Sequence, residues 1–179
     1  MSSGLYADLQ FHLLVYSSVM NRRNQHPPKH PGLEALRHLP GACSCQKLRS
    51  ASRAATRMYD EQLRPAGITI GQYSVLAALY YVPSMPLRKL ARRLELDRTT
   101  LTRSIARLER DELVSVDLDP NDNRVRMIAI TDDGLRRLVE CYPLWLKAQQ
   151  QLQKAVGAQA LKEFRASLDD SIEALKAYR

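Results

Sequence analysis

The stretch 97–131, DRTTLTRSIARLERDELVSVDLDPNDNRVRMIAIT, contains the pattern that decides the fold. Its first part places Leu101, Ile105 and Leu108 at helical spacing behind an aspartate, a residue type that caps helix N-termini. Its second part alternates apolar and polar residues, turns at 119–123 (DPNDN), and returns as another apolar run. This order predicts a helix followed by a β-hairpin.

A further helix is predicted directly before this stretch. Leu87, Leu90 and Leu94 lie at helical spacing behind a proline suited to a first helical turn. Residues 95–96 leave room only for a tight turn. Two short helices joined by such a turn and followed by a hairpin form a winged helix-turn-helix. We therefore expect a mainly α protein with a small β-hairpin wing.

The net charge concentrates on this predicted motif. The chain has 179 residues, with 27 Lys+Arg against 19 Asp+Glu and a formal net charge of +8. Residues 88–110 hold eight basic and three acidic side chains, which is a net +5. A basic helix-turn-helix indicates a polyanionic partner, and we predict double-stranded DNA.

The second helix of the motif carries side chains suited to reading DNA. With its leucines pointing inward, its first turns expose arginines, which can bond guanine bidentately, and threonines, which offer a hydroxyl and a methyl. A merely solvated helix face is the alternative. From the two helices we predict DNA contacts by Arg88, Lys89, Arg98, Thr99, Thr100, Thr102, Arg103 and Arg107.

The hairpin tip adds three residues to the predicted DNA-binding set. Arg124 is expected to enter the minor groove, where an arginine reads width and negative potential. Arg126 lies beyond it, and Asp122 is expected to orient Arg124 through a salt bridge.

Long apolar stripes flank the winged unit, which we define as residues 67–131. Residues 43–66 predict one helix and residues 132–179 predict two more, with apolar residues at heptad-like spacing. So small a winged unit cannot cover these helices, and we therefore expect them to build a homodimer interface. Core packing within one chain is the alternative explanation.

Residues 1–42 are expected to form a flexible N-terminal extension. They hold four prolines and all four histidines, and Met20 offers an alternative start. No Cys/His pair among them has ligand spacing, so we predict neither a metal site nor a cofactor.

Cysteine content and hydropathy bear on location. Three cysteines in 179 residues are too few for a disulfide scaffold and suggest reduced thiols. No apolar run approaches the ~18–20 residues of a membrane span. We therefore predict a cytoplasmic protein without a membrane partner.

The order of these motifs resembles the MarR family of winged-helix transcription regulators over about residues 43–178. Residues 122–131 (DNRVRMIAIT) are similar to the family's wing signature, and residues 97–103 (DRTTLTR) resemble its recognition helix. Residues 131–134 (TDDG) resemble the start of its long dimerisation helix. The resemblance implies a homodimer that binds a palindromic operator, usually as a repressor, and is released by a small ligand or by oxidation.

One branch of that family senses organic hydroperoxides through a cysteine at the start of the first helix. Cys45 and the residues after it are similar to that branch, and Tyr59 falls where the branch has a thiolate-holding tyrosine. Arg49 and Ile70 depart from the pattern, since the branch has tyrosines there. Arg49 nevertheless places a cation one turn beyond the thiol.

Two interpretations of the effector site stay open. In one, Cys45 is a redox sensor, and its alternative is a small packing residue. In the other, Arg49, Tyr59, Tyr142 and Trp145 line a pocket for an aromatic acid or phenol, and their alternative is ordinary core.

The sequence does not favour an enzyme. It contains no recognisable nucleophile–base pair, phosphate-binding loop or metal-ligand spacing. A winged fold used for protein contacts is the remaining alternative, and an absence of salt-dependent duplex binding would favour it.

Overall fold

The computed structural model describes residues 43–82 and 84–177. The chain divides into two compact units between Arg49 and Ser50. In the first unit, the described residues are 43–49, which are helical from Ser44 onward. The other described residues belong to the second unit, and the predicted extension 1–42 lies outside the described residues.

The described residues form six α-helices and three short strands. The helices are α1 (Ser44–Leu63), α2 (Ile70–Tyr81), α3 (Leu87–Arg93), α4 (Arg98–Arg110), α5 (Asp132–Val156) and α6 (Ala158–Lys176). The strands are β1 (Ser84–Pro86), β2 (Val114–Asp119) and β3 (Asp122–Ile130). This order confirms the predicted mainly α fold with a helix-turn-helix and a β-hairpin wing.

The sheet contains one strand that the sequence did not predict. Its order is β1-β3-β2, antiparallel throughout. β1 pairs Ser84 with Ala129 and Pro86 with Met127 at the edge of the sheet. A three-residue strand containing a proline shows no alternation to recognise, and an edge position tolerates the missing N–H.

The core of the second unit lies between α2, α3, α4 and the sheet. Leu76, Leu79, Leu90, Leu101 and Ile128 are completely buried there. Burial of one such side chain contributes about 1.5–3 kcal/mol. This packing fixes the rotation of α3 and α4 about their own axes, and therefore which of their residues face solvent.

Side-chain caps fix where several of the helices start. Thr69 and Gln72 form a capping box at the start of α2. The hydroxyl oxygen of Thr131 accepts from the Gly134 amide, 3.0 Å away, at the start of α5. Asp60 of α1 adds a bond across elements, since its Oδ1 accepts from the Ile70 amide at 2.7 Å.

The start of α5 is joined directly to the base of the wing. The Thr131 hydroxyl donates to the carbonyl oxygen of Glu112 at 2.7 Å, and the Thr131 amide donates to that of Leu113 at 3.2 Å. A Cβ at Gly134 would overlap the Leu113 carbonyl oxygen, so only glycine permits this approach. α5 therefore begins at a fixed position on the wing.

Among the described residues, no helix is both long and apolar enough to cross a membrane. The long helices α5 and α6 instead carry one apolar stripe each. The first half of α5 packs on the core of the winged unit through Leu138, Cys141 and Trp145.

Candidate nucleic-acid interface

Helix α4 separates its apolar and polar residues onto opposite faces. Leu101, Ile105 and Leu108 are buried. All the α4 residues predicted to contact DNA are exposed, namely Arg98, Thr99, Thr100, Thr102, Arg103 and Arg107. The structure therefore places the predicted α4 contacts on solvent-facing positions.

Asp97 holds the first turn of α4 through both of its carboxylate oxygens. Oδ1 accepts from the Thr100 amide at 2.8 Å, and Oδ2 accepts from the Thr100 hydroxyl at 2.6 Å. These bonds to the charged form lower the pKa of Asp97 below its usual value. The Thr102 hydroxyl is also occupied, because it donates to the Arg98 carbonyl oxygen at 2.7 Å.

A groove of about 610 Å³ lies between the helix-turn-helix and the wing. Five arginines line this arginine groove: Arg88, Arg92, Arg98, Arg124 and Arg126. They come from α3, from the first residue of α4 and from β3, and Glu95 and Asp97 also line the groove. Guanidinium groups concentrated between the helix-turn-helix and the wing suit an anionic phosphate backbone.

The groove contains some of the predicted site residues and one further arginine. It brings together Arg88, Arg98, Arg124 and Arg126, whereas Lys89 is exposed on α3 but is not among the lining residues. Arg92 was missed as a site residue. Its position one helical turn after Arg88 is the signal that could have identified it, because residues four apart share a helix face.

The expected salt bridge between Asp122 and Arg124 is wrong. Asp122 Oδ1 instead accepts from the Arg124 backbone amide at 3.0 Å, and no ion pair joins the two side chains in the described part of the chain. Both residues are exposed at the start of β3. The Asp122 carboxylate accepts this local hydrogen bond instead of pairing with the Arg124 guanidinium, because Asp side chains readily bond a backbone amide two residues ahead.

The cations of α4 differ in their partners. Asp111 lies 3.2 Å from Arg110 and 3.9 Å from Arg107 at the C-terminal end of the helix. Arg98 and Arg103, nearer the N-terminal end, form no ion pair with any residue that the structure describes. The N-terminal half of α4 therefore presents the freer positive charge.

The predicted aromatic effector residues are only partly brought together. Tyr142 stacks on Trp145 with ring centroids 5.9 Å apart, and Tyr73 of α2, which the sequence did not single out, stacks on Trp145 at 6.0 Å. We call Tyr73, Trp145 and Tyr142 the aromatic row. Tyr59 is buried, and burial raises the pKa of its hydroxyl.

The cysteines occupy contrasting environments. Cys45 is exposed in the first turn of α1, and Arg49 is exposed on the same helix, both in the first unit. Cys141 is fully buried, and burial raises the pKa of its thiol. A buried thiol held in its neutral form is suited to packing rather than to redox exchange.

Comparison with known proteins identifies the family. Residues 68–125 match the MarR family model. The M. tuberculosis transcriptional regulator MosR is 33% identical, and the similarity covers 75% of this chain and 98% of MosR with a TM-score of 0.63. The structure of MosR in complex with DNA is 34% identical and covers 74% of this chain and 97% of that one, with a TM-score of 0.63.

A curated relative supports the same assignment. The Organic hydroperoxide resistance transcriptional regulator of Bacillus subtilis (strain 168) is 32% identical over 90 residues, or 50% of this chain, and the chain spans 61% of that relative. The family consists of transcriptional regulators rather than enzymes. The resemblance seen in the sequence is thus confirmed, and the chain belongs to the MarR family of winged-helix transcriptional regulators.

Proposed function

We propose that this protein is a homodimeric, sequence-specific DNA-binding repressor that acts in the cytoplasm on a palindromic operator. The observation that carries the proposal is the arginine groove, which joins both helices of the motif to the wing. A groove of this charge matches a phosphate backbone held between a helix in the major groove and a wing.

Each part of the winged unit takes a distinct role in this proposal. α4 enters the major groove with its N-terminal turns, while Arg88, Lys89 and Arg107 hold phosphates. Arg124 and Arg126 extend along β3 toward the adjacent minor groove, and Asp122 sets the backbone conformation at the wing tip. Support also comes from MosR, a similar protein that has been solved in complex with DNA.

Dimerisation is proposed through residues 43–66 and 132–179, while residues 67–131 read DNA. Val139 on α5 and Leu175 on α6 are 73% and 60% exposed, and Phe164 and Ile172 of α6 are exposed as well. Apolar side chains at such spacing lose exposed surface when a second copy covers them. A two-fold protein also matches the symmetry of a palindrome.

Release by a small aromatic acid or phenol is proposed at the aromatic row. Tyr142 is 54% exposed, so one end of the row is open to a ligand ring. An aromatic ligand could extend the stack with favourable offset geometry. Tyr59 remains a proposed member of this effector site, whereas Arg49 belongs to the first unit together with Cys45.

Peroxide sensing through Cys45 is the alternative mode of release. The exposure of Cys45 at a helix start favours it, and the Bacillus subtilis relative is named for organic hydroperoxide resistance. Treatment with cumene hydroperoxide should then release DNA from the wild-type protein but not from Cys45→Ser. An equal response of both proteins would rule out Cys45 as the sensor.

The primary test is binding to duplexes selected from a random pool, measured at several salt concentrations. We expect a palindromic consensus, two protomers per site, and affinity that falls steeply with salt because counterions are released. Absence of salt-dependent binding to any duplex would instead favour a winged unit used for protein contacts.

A further inference from the structure

The three threonines of α4 differ in whether their hydroxyl protons are already used. Thr100 donates to Asp97 Oδ2 at 2.6 Å, and Thr102 donates to the Arg98 carbonyl oxygen at 2.7 Å. The Thr99 hydroxyl is the exception, since it has no hydrogen bond to any residue that the structure describes. A threonine has one hydroxyl proton to donate, so only Thr99 can offer it to a base without breaking an existing bond.

The direction of each side chain separates Thr99 from the other two as well. The buried stripe of α4 is centred on Leu101, Ile105 and Leu108. At 3.6 residues per turn, Thr99 and Arg103 lie opposite this stripe, one turn apart on the same face. Thr100 and Thr102 lie to either side, roughly 75–90° away from the outward direction.

Arg103 is available on the same outward face. It is exposed and, within the described part of the chain, forms no ion pair. Its guanidinium can bond both acceptors of a guanine edge, while a threonine can meet a thymine methyl and bond a base through its hydroxyl. Arg103 and Thr99 are therefore neighbours with complementary means of recognising bases.

We propose that Thr99 and Arg103 are the base-reading pair of α4, and that Thr100 and Thr102 are positioning residues that hold the helix start. This inference rests on the proposed DNA-binding function. The helix rise of about 6 Å over four residues corresponds to about two base pairs, so the two contacts fall within one short segment of each half-site.

The test compares isosteric substitutions by selecting duplexes from a random pool and counting each base at each position. Thr99→Val removes the hydroxyl and keeps the shape, Thr99→Ser removes the methyl, and Thr100→Val and Thr102→Val are the matched controls. All four substitutions are at exposed positions on one helix, and thermal unfolding verifies that each variant is folded.

In both Thr99 variants, we expect the preference for one base to fall about fivefold at one position of each half-site. This is the lower end of the range for the loss of a base contact. Arg103→Ala should lose a guanine preference within about two base pairs of it. Thr100→Val and Thr102→Val should retain the wild-type consensus, even if their overall affinity falls.

Two results would overturn the inference in distinguishable ways. If wild-type protein selects a consensus and the Thr99 variants keep it unchanged, or the control variants alter it, the assignment of Thr99 is wrong while the proposed function stands. If wild-type protein selects no sequence and shows no salt-dependent binding, the proposed function fails and the inference with it.

Discussion

Helices α4 and α6 are both amphipathic, but they leave opposite kinds of face in solvent. α4 buries its apolar stripe and exposes arginines and threonines. α6 buries Leu161 alone among its residues and exposes Phe164, Ile172 and Leu175. The open face of α4 is suited to a polyanion, whereas that of α6 is suited to another apolar protein surface.

The largest effect is expected from charging the open face of α6. Ile172→Glu combined with Leu175→Glu should give a monomer, because carboxylates would have to be buried against a second copy. Losing the second half-site contact should weaken operator binding about 100-fold or more. Sedimentation velocity and gel-shift titration measure the two effects.

Ala166→Glu provides the matched control, because Ala166 is exposed on another face of α6. This variant should remain dimeric and bind normally. A dimeric double variant would show that the apolar face of α6 is not the interface. The two open faces could then no longer be assigned to DNA and to a second copy, respectively.

The next effect is expected at the wing. Arg124→Ala should weaken operator binding about tenfold and reduce the salt slope by about 1, because one cation leaves the arginine groove. Arg110→Ala is the control, since Arg110 already pairs with Asp111 at 3.2 Å. Equal losses in both variants would mean that total charge, rather than the groove, governs binding.

A smaller effect is expected in the aromatic row. Tyr142→Ala should weaken binding of a benzoate or phenol probe about fivefold, since it removes one stacking partner. DNA affinity without the probe should not change. Tyr80→Ala is the control, because Tyr80 contacts Tyr81 rather than Trp145. Calorimetry that finds the two variants equivalent would exclude the row as the effector site.

The smallest effect concerns the cap of α4. The lowered pKa of Asp97 means that its stabilising contribution is present above about pH 4, the ordinary range for Asp, and is lost as the pH falls through the lowered value. Asp97→Ala should therefore reduce Tm slightly at neutral pH, and the difference from wild type should shrink in acid. A pH series of melting curves measures this, and a difference that grows in acid would contradict it.

Much of the fold could be predicted because its signals are local. The caps at Thr69, Asp97 and Thr131 and the apolar spacing of α4 each depend on residues within one or two helical turns. β1 could not be predicted in this way, because its three residues are defined by pairing with Met127 to Ala129, more than forty positions later.

The candidate site was predicted less completely than the fold. Residue types indicated which side chains suit DNA. The hydrogen bonds that these side chains already make within the protein depend on the folded geometry. Asp122 bonds the Arg124 amide rather than its guanidinium, and Thr100 gives its proton to Asp97. Arg92 shares a helix face with Arg88, but the place of that face beside the wing depends on how the chain folds.

The contact between Gly134 and Leu113 couples the orientation of the wing to that of α5. The start of α5 is fixed at the base of the wing, because Thr131 and Gly134 contact the chain that enters β2. From Ile128, which is buried in the core, to Arg124 the strand extends about 13 Å, so a tilt of about 5° would move the tip by roughly 1 Å. That displacement exceeds the tolerance of about 0.5 Å within which a binding group must be held. The orientation of α5 therefore bears on how Arg124 would meet the DNA that is proposed to bind there.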